Sequence, residues 1–192
     1  MEIKQTKTLV EGPFLKFCET EFVDNNGRES KWWWATRPTR AVMIIPIVRN
    51  PQARSKDTGG YEFNHRIVVT KEYRVPIQGY EWGFPAGLVD GKESIEATAE
   101  RELKEETGLN LTKILEVTPF TYNSPGMSDE SIAMVYCEAE GEISQDGNEG
   151  TEDITTYLMD KNDVLDLMKK DVMIGAKAYM VFRQFIKTGD IS

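Results

Sequence analysis

Three glutamates near the middle of the chain are spaced for shared chemistry. Glu102, Glu105 and Glu106 stand at positions i, i+3 and i+4, so an α-helix would place their carboxylates on one face. Carboxylates held this close repel one another unless a cation lies between them, and clustered oxygen ligands suit Mg²⁺ or Mn²⁺. The alternative is a solvated acidic face, relieved by the neighbouring Lys104 and Arg101.

The glutamates belong to a longer pattern with fixed gaps. Gly87 is followed after five residues by Glu93, and after seven more by Arg101-Glu102-Leu103-Lys104-Glu105-Glu106-Thr107-Gly108-Leu109. This pattern resembles the Nudix box at every defined position. The resemblance implies that the Ala86 carbonyl joins the three glutamates as a metal ligand. It also implies that Glu93 and Arg101 anchor the loop to the helix by an ion pair, although Arg101 could instead contact phosphate.

The elements around this pattern predict a layered domain. Residues 94–107 fit a helix, because Ile95, Ala99 and Leu103 recur every four positions, with Ser94 to cap its start and Gly108 to end it. Residues 49–65 read as a long loop. Strands fit 41–48, 66–71, 113–122, 132–140 and 155–159, and two further helices fit 161–170 and 176–188. This order predicts an α+β or α/β domain, and the Nudix resemblance implies an α/β/α sandwich around a mixed sheet.

The first 38 residues predict a small N-terminal antiparallel β unit, ahead of a Nudix domain over residues 39–192. Residues 8–23 are strand-like, Asp24-Asn25-Asn26-Gly27 is a turn signal, and residues 31–36 form an aromatic strand. A unit this small buries too little surface to stand alone, so it must dock on something. Strand alternation places Trp32 and Trp34 on one side and Trp33 on the other.

Two stretches flanking the box resemble the ADP-ribose pyrophosphatase subgroup of the Nudix family. Residues 71–74 (Lys-Glu-Tyr-Arg) and 81–88 are similar to its Q-Y-R and E-x-P-A-G stretch, with Lys71-Glu72 a departure at the start. The second stretch, Ser124-Pro125-Gly126-Met127-Ser128-Asp129-Glu130, has Pro125 placed 16 residues beyond Leu109. The resemblance implies a substrate loop that includes Pro125 and Glu130, whereas Ser-Pro-Gly alone would be an ordinary turn.

The N-terminal unit resembles that of ADP-sugar pyrophosphatases, in which it is exchanged across a homodimer and its aromatic residues sandwich the nucleobase. The matching stretches are residues 11–14 and 27–32, followed by Arg37. Carried over by position, Phe14 and Trp32 are the stacking residues, with packing in a dimer core as the alternative for the tryptophans. Arg37 and Arg74 are expected to bind phosphate, because a guanidinium matches phosphate oxygens, although either could be solvated at the surface.

The resemblance further implies a general base in the acidic stretch before a late strand. Residues 147–154 are that stretch here, and one alignment places the base at Glu152 while a shifted gap places it at Glu149. Glu152 is preferred because it abuts the strand, which would hold it more rigidly than a loop tip.

Composition limits the remaining classes of function. A net charge of −9 argues against binding to a nucleic-acid backbone. Cys18 and Cys137 lie far apart in apolar runs, which predicts reduced core thiols rather than a disulfide. No signal-like N-terminus or membrane-length apolar run is visible, so a cytoplasmic protein without membrane contact is expected. His65, the single histidine, lies outside every motif and is expected to be structural.

The sequence therefore predicts a Mg²⁺-dependent hydrolase, able to use Mn²⁺, that cleaves the pyrophosphate bond of ADP-ribose or a related nucleoside diphosphate sugar. Glu105 and Glu152 are its expected catalytic residues. Other substrates, such as dinucleoside polyphosphates, remain open. Two further alternatives are a non-catalytic Nudix module that senses nucleotide sugars and a structural partner that uses the tryptophan-rich surface.

Overall fold

The computed structural model describes residues 1–49, 65–147, 150 and 152–191. Nearly all of the predicted loop at residues 49–65 lies outside the described residues, and so does Glu149. No α-helix in the described ranges is both long and apolar enough to cross a membrane.

The N-terminal residues form a three-stranded antiparallel sheet of β1 (Glu2–Glu11), β2 (Lys16–Val23) and β3 (Glu29–Thr36), in that order. The Asp24 carboxylate accepts hydrogen bonds from the backbone N–H groups of Asn26 at 2.8 Å and Arg28 at 2.9 Å, and Gly27 takes a positive φ of 77°. These bonds fix the predicted turn between β2 and β3. The strand-like stretch expected over residues 8–23 is two strands, separated by a turn in which the Gly12 N–H donates to the Leu15 carbonyl at 2.8 Å. The prediction also began too late, because every residue of β1 is exposed and gives no inside-outside alternation to detect.

A nine-stranded sheet forms the body of the protein. It comprises β4 (Ala41–Val48), β5 (Arg66–Arg74), β6 (Gly79–Gly83), β7 (Ala86–Leu88), β8 (Asn110–Val117), β9 (Thr121–Tyr122), β10 (Ser131–Glu140), β11 (Ile154–Met159) and β12 (Met173–Ile174). The main path is β12-β6-β5-β4-β10-β8, with β11 paired to β5, β7 to β4 and β9 to β10. Parallel pairs, β4 with β10 and β6 with β12, stand among antiparallel ones, so the predicted mixed sheet is confirmed.

Helices cover both faces of this sheet. The helix α1 (Ile95–Thr107) packs on one face, in a core that includes Val42, Val68 and Val135. The helices α2 (Lys161–Met168) and α3 (Ala176–Thr188) pack on the other, where Phe182 and Phe185 meet Ile45, Ile47 and Val69. Alternate residues of β4 and β5 therefore face opposite cores, as the pleat of a strand requires. The predicted α/β/α sandwich is confirmed.

Several short elements were wrong or missing in the sequence prediction. The single strand expected at 113–122 is two strands, β8 and β9, and the helix expected at 161–170 ends at Met168. The strands β6, β7 and β12 were not predicted, nor was the 3₁₀ turn Val75–Ile77. Each of these has two to five residues, too few for a hydrophobic period to show.

His65 and both cysteines have the structural settings that the sequence indicated. Cys18 and Cys137 are free and buried, and burial raises the pKa of the Cys137 thiol to about 12. His65 is buried beside Arg49, whose Nη1 lies 3.2 Å from His65 Nε2 and 2.9 Å from Asp190 Oδ2. Arg49 also pairs with Glu138 at 2.6 Å, so this cluster ties the ends of β4 and β10 to the C-terminal residues.

Candidate active site

The helix α1 positions the three glutamates of the box. The Ser94 hydroxyl caps its start by accepting from the Ala97 N–H at 3.2 Å, and Gly108 ends it with a left-handed φ of 77°. Buried Ala99 and Leu103 hold one side of the helix on the sheet. As a result Glu106 is turned inward and only 5% exposed, Glu102 is largely covered, and Glu105 is open to solvent.

The strand β7 lies against the same face of α1. Glu106 Oε2 accepts a hydrogen bond from the Ala86 N–H at 3.3 Å. Gly87 leaves the space in which the Glu102 carboxylate sits, because a Cβ at residue 87 would overlap that carboxylate. The Glu102 carboxylate therefore occupies its present position because residue 87 has no side chain.

Arg101 joins the loop to the helix, which confirms the predicted ion pair. Its Nε and Nη2 donate to the two oxygens of Glu93 at 3.2 and 3.1 Å, and Nη2 also donates to the Leu88 carbonyl at 3.3 Å. Its Nη1 donates to Glu102 at 2.8 Å and Glu105 at 3.0 Å. These carboxylates, Glu93 foremost, hold the pKa of Arg101 above its ordinary value. Five hydrogen bonds to the protein commit Arg101 to structure rather than to phosphate.

The cleft beside α1 concentrates negative charge. Burial, followed by the repulsion of Glu102, Glu72 and Glu152, raises the pKa of Glu106 well above its ordinary value. Burial likewise raises the pKa of Glu102, with Glu105 and Glu152 adding to the shift. Glu152 therefore lies close enough to raise the pKa of both residues by electrostatic repulsion, although it is separated from them by about fifty positions in the chain.

The donor chemistry of this cleft fits a hard divalent cation. The donors are carboxylates, and a buried, mutually repelling pair such as Glu102 and Glu106 is stabilised by a cation. Within the described residues, however, no group of three or more His, Cys, Asp or Glu side chains is already arranged to hold a metal ion. Arg101 places a positive charge beside Glu102 and Glu105.

Two arginines from different parts of the chain also line the cleft, which has a volume of about 700 Å³. Arg37, just after β3, pairs with Glu130 of the 124–130 loop at 3.2 Å. Arg74, at the end of β5, pairs with Glu72 at 2.7 Å and Glu81 at 3.3 Å. Both arginines thus line the same cavity as Glu102, Glu105, Glu106 and Glu152.

Lys177 is a cleft residue that the sequence reading did not identify. It lies in the first turn of α3, and its Nζ donates to Asn123 Oδ1. Asn123 Nδ2 in turn donates to Glu130 Oε2 at 2.7 Å, which completes a polar row from Lys177 to Arg37. Burial lowers the pKa of Lys177. No sequence motif marks this lysine, because only the fold brings the start of α3 to the cleft.

An aromatic cavity of about 470 Å³ lies between the N-terminal sheet and the 124–130 loop. Trp32 and Trp34 line it together with Phe22, Tyr122 and Pro125, while Trp33 does not, which confirms the predicted alternation. Trp32 is 53% exposed, and its Nε1 donates to the Gly126 carbonyl at 3.1 Å. Phe14 is 80% exposed and lines neither cavity.

The expected site residues therefore lie in three places: the charged cleft, the aromatic cavity and the exposed surface. The charged cleft brings together Ala86, Glu102, Glu105, Glu106, Glu152, Arg37, Arg74 and Glu130. The aromatic cavity holds Trp32 and Pro125. Phe14 alone stands apart from both within one chain.

Curated proteins similar to this chain include two pyrophosphatases. The ADP-ribose pyrophosphatase of Saccharomyces cerevisiae is 29% identical over 146 residues, which cover 73% of this chain and 59% of the yeast protein. The ADP-sugar pyrophosphatase of Mus musculus is 30% identical over 134 residues, which cover 66% of this chain and 56% of the mouse protein. The matched region thus spans a little over half the length of these relatives.

A solved structure shows the fold of this chain, and a family model shows its family. A crystal structure described as an ADP compounds hydrolase superposes with a TM-score of 0.75 and 21% identity, covering 99% of this chain and 96% of the other, which shows a shared fold. Nudix hydrolases generally use divalent metal ions. The NUDIX domain model matches residues 53–180, well over half of the chain and the region that carries the box, so this protein belongs to the Nudix family.

Proposed function

We propose that this protein hydrolyses the pyrophosphate bond of ADP-ribose or a related nucleoside diphosphate sugar, giving a nucleoside monophosphate and a sugar phosphate. The observation that carries the proposal is one cleft that the carboxylates of α1 line together with Arg37 and Arg74. Carboxylates suit the metal and guanidinium groups suit phosphate oxygens. The names of the yeast and mouse relatives favour ADP-ribose and ADP-sugars as substrates.

We propose Mg²⁺ as the metal, with Mn²⁺ as a substitute, held by Glu102, Glu105, Glu106 and the Ala86 carbonyl. Such an ion would neutralise pyrophosphate charge and lower the pKa of an attacking water. Gly87 and the Ala86 N–H would keep the ligands in register, because they set where the Glu102 and Glu106 carboxylates lie. Arg101 would keep the loop fixed through its hydrogen bond to Glu93. Glu102 or Glu105, which also accept from Arg101, would bind the metal instead.

Glu152 is the proposed general base. It stands two residues before β11 in the cleft lining, within electrostatic reach of Glu102 and Glu106. A carboxylate in that place would accept the proton that the attacking water loses. Glu149, which lies outside the described residues, is the competing assignment.

The N-terminal unit is proposed to bind the nucleobase and to assemble a homodimer. Trp32 offers an exposed face beside the aromatic cavity, and stacking on a base suits an indole ring. Phe14 would have to meet a base in the site of a second copy, because it is remote from Trp32 in its own chain. Light scattering at micromolar concentration tests this assembly, and a fully active monomer would contradict it.

The deciding experiment for the function is a substrate panel with products identified by mass. ADP-ribose, other nucleoside diphosphate sugars and a dinucleoside polyphosphate are each incubated with Mg²⁺, and Glu106→Gln serves as the matched inactive control. We expect AMP and ribose 5-phosphate from ADP-ribose. Preferential cleavage of the dinucleoside polyphosphate would instead indicate a hydrolase of that substrate class. Tight binding without turnover would indicate a non-catalytic module that senses nucleotide sugars. Cytoplasmic location stays a prediction.

A further inference from the structure

The Arg74 side chain is held from two sides by carboxylates on neighbouring strands. Its Nη1 lies 2.7 Å from Glu72 Oε1, and its Nε donates to Glu81 Oε2 at 3.3 Å. Glu72 and Glu81 are direct cross-strand partners in the β5–β6 pair, so their side chains emerge on the same face of the sheet as Arg74. Nη2 makes no hydrogen bond to the described part of the chain, so this nitrogen is available to donate in the cleft that Arg74 lines.

The surroundings of Glu81 and Glu72 leave room for this arrangement. Gly175, just before α3, leaves the position of the Glu81 carboxylate clear, since a Cβ at residue 175 would come within 2.7 Å of Glu81 Oε1. Glu72 and Glu81 also border a small cavity of about 40 Å³ that Arg74 and buried Thr70 line as well. Glu81 lies in the lining of the cleft itself, and Glu72 is its cross-strand neighbour.

Glu72 and Glu81 lie outside the box, so the proposed metal ligands do not account for the carboxylates at these two positions. Glu72 faces Arg74 and lies in the stretch where the chain departs from the pattern of the pyrophosphatase subgroup. A carboxylate beside a phosphate site weakens anion binding by repulsion. It strengthens binding only if it orders the cation that contacts the phosphate, because an arginine held in one direction loses less conformational freedom when substrate arrives.

We infer that Glu72 and Glu81 are positioning residues, which hold Arg74 by Nη1 and Nε and leave Nη2 directed at the pyrophosphate of the substrate. This inference rests on the proposed function of the cleft. Arg74 is then the residue that contacts substrate, and the two glutamates act through it. Loss of either glutamate weakens binding by freeing the guanidinium, while the metal requirement stays the same.

A double-mutant cycle between Glu72 and Arg74 tests the inference. Wild type, Glu72→Gln, Arg74→Ala and the double variant are compared in kcat and KM for ADP-ribose, in the Mg²⁺ concentration at half-maximal rate, and in melting temperature. We expect Glu72→Gln to raise KM about fivefold with kcat changed less than about twofold, and Arg74→Ala to raise KM further. In the Arg74→Ala background the additional effect of Glu72→Gln should vanish.

Glu138→Gln is the matched control. Glu138 is a partly exposed glutamate that pairs with an arginine, Arg49, at 2.6 Å, but it lies outside the cleft lining, so KM should stay at the wild-type value. Glu81→Gln should raise KM as Glu72→Gln does, and it tests the inference independently if Glu72→Gln folds poorly.

Three results would overturn the inference. They are an unchanged KM in both glutamine variants, an equal effect of Glu72→Gln with and without Arg74, and a raised Mg²⁺ requirement that points to Glu72 as a metal ligand. Failure of the proposed function looks different, because the wild-type protein would then cleave nothing in the substrate panel. In that case the same four proteins are compared by their affinity for inorganic pyrophosphate, measured by calorimetry.

Discussion

Replacing Gly87 by alanine should separate the activity of this protein from its stability. The added Cβ would overlap the Glu102 carboxylate, and ordinary contacts between such atoms are about 3.5 Å, so the carboxylate must retreat by more than about 1 Å. Glu102 can do so by rotating a flexible side chain, and Gly87 has no positive φ to make alanine strained. A displacement of 1 Å at a reacting centre can cost about 10²-fold in rate, equivalent to about 2.7 kcal/mol of activation free energy.

The assay is kcat for ADP-ribose across a Mg²⁺ titration, together with the melting temperature of each protein in a chelator. We expect Gly87→Ala to lose about 10²-fold in kcat while melting within a few degrees of wild type. Gly83→Ala is the control, because a Cβ there meets nothing within 4 Å and its φ is not positive. A Gly87→Ala enzyme with wild-type kcat at every Mg²⁺ concentration would show that the position of the Glu102 carboxylate is not needed for turnover.

Four further predictions follow from the same structure. Glu106→Gln should lose most turnover, by about 10²-fold or more, while its circular dichroism stays that of wild type; a near-normal rate at saturating Mg²⁺ would remove α1 from the mechanism. Glu152→Gln should lower kcat by about 10²-fold with KM little changed, and a silent Glu152→Gln beside an inactive Glu149→Gln would move the base. Trp32→Ala should raise KM roughly fivefold or more with less effect on kcat, and an unchanged KM would assign Trp32 to packing. Burial and Arg49 lower the pKa of His65 below 6.5, so unfolding free energy should fall as pH drops from about 6.5 through that lowered pKa, and His65→Gln should flatten this decline in denaturant titrations.

The parts of the fold that could be predicted from sequence are those with a long enough pattern. The apolar run of β4 and the four-residue repeat of α1 each extend over at least two turns or eight residues, so their bounds were nearly correct. β1 carries no such signal, because both of its faces are exposed and its pairing with β2 decides its structure. β6 and β7 are brief stretches beside glycine and proline whose partners, β5 and β4, are needed to make them strands.

In the candidate site, too, only the contacts between residues close in sequence could be predicted. Glu93 and Arg101 lie eight positions apart on one loop and helix, so the box pattern was sufficient to predict their ion pair. Lys177 and the Glu72–Arg74–Glu81 contacts depend on the order of strands and on where α3 begins, which no local spacing encodes. Phe14 lines neither cavity, so its proposed role remains a prediction that depends on the proposed dimer.

The hydrogen bonds between the N-terminal sheet and the 124–130 loop determine which residues must be exchanged together in a chimaera of two enzymes. The Ala35 N–H donates to the Met127 carbonyl at 2.9 Å, and the Thr36 hydroxyl donates to Asp129 at 2.9 Å. Trp32 adds its bond to Gly126. Residues more than ninety positions apart in the chain therefore hold these two parts together. A chimaera that exchanges residues 1–38 alone would replace only one side of these contacts, whereas one that also exchanges residues 124–130 would keep both sides.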